Sequence, residues 1–428
     1  MSAIPSHRMP LYALIVANLI SRLGNSLTYI AIPWFVLATT GSAARTGLVA
    51  AVGVLPLIIT GILGGPLIDR LGYKRMAVIS EVASGINVAM VPLLYTTVGL
   101  PFWALLVFVL LGSVLDSPGH TAIQSLLPEV TKLAEMPLER ANSVIMIAGR
   151  TSSMLGAPLA GLLIATIGAS NLLWFDAVSF GISAMILTLA IPNRVIAPAI
   201  EQATDAAAAI RTYLNEIAEG FRFVRNDGLI FWMAASFSLG SLLAEPLYSV
   251  IMPVYAREVY GSALDLGFMY GALGGGSIAG ALLFAIFGHR LPRRATILFG
   301  FTVRALSFWV FVLMPPVGVI VAAVVINATA LEPTNPLVMT ILQERIPEGM
   351  RGRVFGTLMA ISATMMPVGM IGYGLLINAV GLEPTLYIFA TVNLSLPVIL
   401  ALVPAMRSLG SPPQRTDSPS TSPSAPSV

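Results

Sequence analysis

The chain has 428 residues, of which 56% are hydrophobic and 10% charged, and it contains no cysteine. A soluble globular domain carries about 25% charged residues, so lipid is the better solvent for this surface. The lack of cysteine excludes disulfides and thiolate metal sites, and His7, His120 and His289 are too far apart in sequence to suggest a metal motif.

A bilayer core of about 30 Å takes roughly 20 apolar residues per helix. By that measure the chain predicts twelve spans, at 11–38, 46–68, 76–97, 101–126, 141–166, 170–191, 229–256, 264–287, 295–314, 317–341, 354–379 and 382–405. The first follows His7 and Arg8 and lacks a small-residue cleavage site, so it is expected to remain as a helix. The basic residues are distributed asymmetrically. With the N-terminus placed in the cytoplasm, cytoplasmic loops take clusters such as Arg70/Lys74/Arg75, Arg290/Arg293/Arg294 and Arg345/Arg351/Arg353. The opposite side takes only Arg45 and Arg257. Both termini are therefore expected inside.

The chain also repeats itself. On a shift of 219 residues, ITGIL at 59–63 meets IAGAL at 278–282, and Lys74-Arg75 meets Arg293-Arg294. QSLLPEV at 124–130 meets QERIPEG at 343–349 on the same offset. This predicts two related six-helix units, residues 1–191 and 229–405, with any pathway on the pseudo-two-fold axis between them. Residues 192–228 join them. Tyr213, Ile217, Phe221 and Val224 recur there at helical spacing, which predicts an amphipathic helix on the cytoplasmic surface. Residues 406–428 are rich in Ser and Pro and are expected to be disordered.

The stretch GGPLIDRLGYKR at 64–75 interrupts apolar sequence with a short cationic loop. Gly65, Leu67, Asp69, Arg70, Gly72, Lys74 and Arg75 match the signature of the major facilitator superfamily, which the whole chain to about Ala405 resembles. Four stretches, LGNSLTYIAIPWFVLATTGSA (23–43), SPGHTAIQSLLPEV (117–130), EIAEGFRFVRND (216–227) and RIPEGMRGRVFG (345–356), resemble the branch holding macrolide-efflux and enterobactin-exporter proteins. The resemblance implies an all-α membrane fold of two six-helix bundles and a gating role for the loop, with Arg351 and Arg353 as cationic partners. Gly288 stands where the second copy of Asp69 would be, so the acid switch is expected on one side only.

Ionisable groups inside a membrane are costly and mark a pathway or a partner. Arg22, Asp116, Glu245 and Glu332 lie near the middle of spans one, four, seven and ten, which the resemblance implies line a central cavity. Asp116, His120 and Gln124 share one helical face. Asp116 suits either this role or a structural pair with Arg22. Many relatives carry an acid where Asn25 stands. Asp176 is expected near the outer leaflet or as a structural partner, and Glu81 near the cytoplasmic end of span three, within reach of water or Arg75. Arg150, Gly156, Pro158 and Gly161 resemble the span-five pattern of antiporters; ordinary small-residue packing explains them nearly as well. Trp34, Phe35, Tyr248, Met252 and Met339 offer adaptable apolar contacts.

The expectation is a bacterial cytoplasmic-membrane carrier, monomeric and without a cofactor, that exports an amphipathic small molecule in exchange for protons. A siderophore or a lysophospholipid is the alternative cargo, and a non-transporting membrane sensor the alternative class. No metal, no nucleic-acid partner and no enzymatic motif is expected; membrane lipids are the surrounding partner.

Overall fold

Helices carry the whole fold. The computed structural model describes residues 7–192 and 206–403, without the side chains of residues 57–70, 153, 206–214, 216 and 289. In chain order the helices are α1 (Met9–Thr40), α2 (Ala43–Leu71), α3 (Tyr73–Thr97), α4 (Phe102–Leu133), α5 (Leu138–Ile167), α6 (Ala169–Ala190) and α7 (Ala206–Asn226). They continue with α8 (Gly228–Pro246), α9 (Met252–Tyr255), α10 (Ala263–Phe287), α11 (Arg293–Val312), α12 (Val317–Leu331), α13 (Thr334–Arg345), α14 (Arg351–Val380) and α15 (Leu382–Leu402). Among the described residues there is no strand.

Eleven helical stretches among the described residues are long and apolar enough to cross a membrane. The remaining expected span corresponds to α2, whose described side chains make an apolar segment from Ala43 to Pro56. In lipid every backbone polar group must be satisfied within the chain, and long helices do this by themselves. Their hydroxyls follow suit: Thr39 and Thr40 donate to Phe35 O and Val36 O, and Ser236 donates to Trp232 O.

Helix ends follow local chemistry. Gly41 closes α1 with φ of 66°, a left-handed conformation suited to glycine, while its N–H bonds Leu37 O at 2.9 Å. Asp227 caps α8, its Oδ1 accepting from the N–H groups of Leu229 and Ile230 at 2.9 and 3.1 Å. Two expected spans are not continuous α-helix. The seventh passes through wider π turns at Leu247–Ile251 and Ala256–Tyr260. The tenth breaks between Leu331 and Thr334, at Glu332-Pro333. Proline lacks the N–H that would continue the ladder.

Helices α1, α3, α4, α5 and α6 pack together with α2 as one bundle, and α8 to α15 form the other. Between bundles, α2 lies on α14 and α5 lies on α10. These contacts are tightest at one end of the molecule. A side chain at Gly161 would meet Ala263 O at 2.6 Å and Gly267 Cα at 2.9 Å; one at Gly374 would meet Ala43 O at 2.7 Å. Ala44 N–H donates to Asn378 Oδ1 at 3.2 Å, and Asn378 Nδ2 donates to Ser42 Oγ at 3.1 Å. Small residues permit this approach, because backbones come together only where no side chain intervenes.

Helix α7 docks on α14. Thr357 Oγ1 donates to Ile217 O at 3.1 Å, Arg353 pairs with Glu219 at 2.8 Å, and Gly220 leaves no room for a Cβ beside Arg353 O. Its expected apolar stripe is divided: Val224 is buried and Phe221 is 53% exposed. The side chain of Tyr213 lies outside the described set.

Candidate functional site

On α1, Arg22, Asn25, Ser26 and Tyr29 recur every three or four residues; on α4, Ser113, Asp116, Ser117, His120 and Thr121 do the same. Both faces line a cavity of about 1100 Å³ between the bundles. Arg150 and Gly149 of α5 and Tyr270, Gly274 and Ser277 of α10 line it from the sides.

The polar groups form two chains. Arg22 Nε donates to Asn18 Oδ1 at 3.1 Å, and Arg22 Nη2 donates to His120 Nε2 at 2.6 Å. Guanidinium has no acceptor, so His120 accepts and is the neutral tautomer protonated at Nδ1. Asn25 Nδ2 donates to Asp116 Oδ2 at 3.4 Å. Asn25 thus bonds the acid and His120 bonds the base, while Asp116 and Arg22 act on each other as charges through space.

A deeper cavity of about 360 Å³ continues from Asn25, Tyr29 and Asp116 to Asp176, Glu245 and Ser249. Asp176 is fully buried; its carboxylate accepts from Thr28 Oγ1 and, at 3.3 Å, from Ser179 Oγ. It therefore belongs to the cavity wall, not only to a structural pair. Glu81 also departs from expectation. It is 4% exposed, so it neither reaches water nor uses Arg75, because α3 turns it inward between α4 and α6. Glu245 borders both the deeper cavity and a separate cavity inside the second bundle, which Arg304 also lines.

Glu332 sits at the break in the tenth span and pairs with Arg150 at 3.1 Å. This ion pair crosses from one bundle to the other. The span-five residues divide their work: Gly149 faces the Arg22 guanidinium, and Gly156 faces Ser26 Cβ on α1. Pro158 and Gly161 face Gly271 and Gly267 on α10.

In the basic signature loop, the side chains of Gly65, Asp69 and Arg70 lie outside the described residues. Gly72 has φ of 78°, and Lys74 Nζ donates to Ile191 O at 2.5 Å and Thr188 O at 2.9 Å, at the carboxyl end of α6. A cation there also meets the negative end of the helix dipole. Arg351 is engaged within the second bundle, with Glu348 and Gln343 O, and Arg353 with Glu219 of α7.

Sequence reasoning named different apolar groups. Met252 is fully buried, Phe35 packs edge-on to Tyr95 at 4.9 Å, and neither they nor Trp34, Tyr248 or Met339 line the central or deeper cavity. The aromatic wall is Tyr29 and Tyr270, edge to face at 6.1 Å. Tyr29 was findable, because it lies seven residues from Arg22 on the same helix face. Among the described residues, no group of three His, Asp or Glu could hold a metal.

A two-bundle helical membrane fold with a polar cavity between the halves defines a class of solute carriers. The Major Facilitator Superfamily model matches residues 14–370 and 247–426, and the chain belongs to that family. It is a multi-pass membrane transporter, not an enzyme. It is 31% identical over 405 residues to the multidrug efflux pump Tap of Mycolicibacterium fortuitum, covering 94% of this chain and 97% of the relative. It is 27% identical over 415 residues to the enterobactin exporter EntS of Escherichia coli, covering 95% of each. The fold resembles that of a D323A mutant of the nucleoside transporter NupG, with a TM-score of 0.75, 14% identity and coverage of 92% and 99%. It also resembles a bacterial homologue of the iron transporter ferroportin in an inward-facing state, with a TM-score of 0.71, 16% identity and coverage of 94% and 98%.

Proposed function

We propose that the protein exports an amphipathic small molecule across the bacterial cytoplasmic membrane in exchange for protons. The reading includes twelve spans with both termini inside, a monomer, and no cofactor. The observation that carries it is the cavity between the bundles. Arg22, His120, Asp116 and Asn25 supply its polar groups, and Tyr29 and Tyr270 supply aromatic surface beside them. Such a mixture suits a ligand with an apolar body and a few polar groups. The sealed end joins Ala43 and Asn378, so with the basic loops in the cytoplasm the cavity faces inward. Asp116, Glu245 and Glu332 are the acids available for proton exchange. A proton entering from outside would neutralise one of them, weaken its polar contacts and reset the carrier. Asp69 and its neighbours in the loop would act as the gate.

A siderophore is the second reading. Arg22 and Arg150 both line the cavity, and two cations suit an anionic catechol.

The test is exchange in liposomes with an interior pH dye and an imposed substrate gradient. The panel is a macrolide, a lipophilic cation and a catechol siderophore. Proton movement triggered by one compound and lost on Glu245→Gln or Glu332→Gln, with expression intact, is expected. Full activity in both variants removes these acids from the coupling step, and flux without proton movement removes the antiport reading.

A further inference from the structure

The second bundle contains its own cavity, of about 320 Å³, enclosed by α8, α11, α13 and α15 and separate from the axis between the halves. Arg304 lines it and is 6% exposed. Its Nε and Nη2 have no hydrogen-bond partner; the Phe308 ring lies 5.6 Å from the guanidinium, and Glu245 and Tyr248 are close enough to act on its charge through space. Thr334 lines the same cavity, is also 6% exposed, and leaves Oγ1 without a partner.

We propose that this cavity is a carboxylate-binding site, in which Arg304 and Thr334 hold the acidic group of a small ligand. Arginine stays charged at any ordinary pH, so burial cannot be relieved by losing the proton. Glu245 is the nearby counter-charge, but buried guanidinium nitrogens left without a hydrogen bond are unfavourable, which makes an acceptor at Nε and Nη2 stabilising. The two unpartnered nitrogens, Nε and Nη2, are the edge of guanidinium that meets both oxygens of a carboxylate in parallel. Thr334 supplies a third donor. Phe237, Phe301 and Val338 line the remaining space and suit an apolar or aromatic body. The volume lies at the small end of ligand pockets, which fits a single-ring or short-chain acid.

Glu245 is the acidic residue on this wall. It forms no hydrogen bond with the Arg304 nitrogens Nε and Nη2. Its carboxylate would oppose an incoming anion, so neutralising it strengthens anion binding. The inference goes beyond the export reading, because binding is measured without transport.

The experiment is titration of the purified full chain in detergent with benzoate, and with benzamide as the neutral isostere, read by calorimetry. Benzoate is expected to bind and benzamide is not. Arg304→Gln should weaken benzoate by about tenfold or more, in line with the loss of a charged hydrogen-bonded pair. Thr334→Val should weaken it a few-fold, and Glu245→Gln should tighten it. If Arg304→Gln does not fold, Arg304→Lys and Thr334→Val carry the test; lysine keeps the charge without the fork and should bind more weakly than wild type. Equal benzoate affinity in wild type and in every Arg304 and Thr334 variant overturns the site. So does no benzoate binding to wild type, the result expected if Arg304 is served by solvent or by Glu245. A loss on Arg22→Gln alone would place the anion in the central cavity and overturn it as well.

Discussion

Arg22 and His120 are 98 residues apart and bond at 2.6 Å, so each decides the state of the other. Arginine can only donate, which makes the imidazole an acceptor. A protonated His120 would lose that role and set two cations side by side in a partly buried place, at a cost on the order of several kcal/mol. His120→Gln, which keeps an acceptor, should therefore retain most substrate flux. His120→Lys should reduce it by about tenfold or more at equal expression, on the scale of a lost charged hydrogen bond. Equal flux in the two variants would mean that the bond has no part in the cycle. The candidate residues were legible as intramembrane charges at helical spacing, because desolvation makes such groups conspicuous. Their partners were not. Nothing local links Arg150 to Glu332 or Asp176 to Thr28, and helix rotation alone turned Glu81 away from water.

At the scale of elements, apolar run length marked the spans well, and most ends moved by only a few residues. What it missed were the interruptions. The π turns after Pro246 and the break at Glu332-Pro333 depend on how the seventh and tenth spans pack, and proline merely permits them. The entry to α8 makes a measurable case. Partial burial would raise the Asp227 carboxyl, but the hydrogen bond from Arg345 and the N–H groups of Ile230 and Leu229 outweigh it and hold it below the usual carboxylate range. A lowered folded-state pKa gives stability that is present above the unfolded value and lost as pH falls through the folded one. Asp227→Ala should lower stability by about 1 kcal/mol near neutral pH, the usual worth of such a cap. Thermal melts in detergent should show a Tm difference that shrinks as the pH drops below the ordinary carboxylate range. A difference that persists unchanged in acid would assign the effect to packing.

At the scale of the whole molecule, small residues bring the two bundles together at one end, and the cavity lies between them. Across this end Asn378 Nδ2 and Ser42 Oγ stand 3.1 Å apart, so side chains at these two positions reach each other. The chain has no cysteine of its own, so an introduced pair reports without background. Ser42→Cys with Asn378→Cys should crosslink under oxidation, stop substrate flux, and recover on reduction. Crosslinking with undiminished flux would show that this end need not part during the cycle. By itself the sequence determined that the chain lives in lipid, that it is built from long apolar helices, and which intramembrane charges merit study. Those conclusions follow from composition, run length and spacing, which act locally along the chain. Only the tertiary structure decided which charge meets which, that Tyr29 and Tyr270 form the aromatic wall, and that Arg304 lies buried in a cavity of its own. Those outcomes depend on helix rotation and on contacts between residues far apart in the chain, where packing sets the geometry.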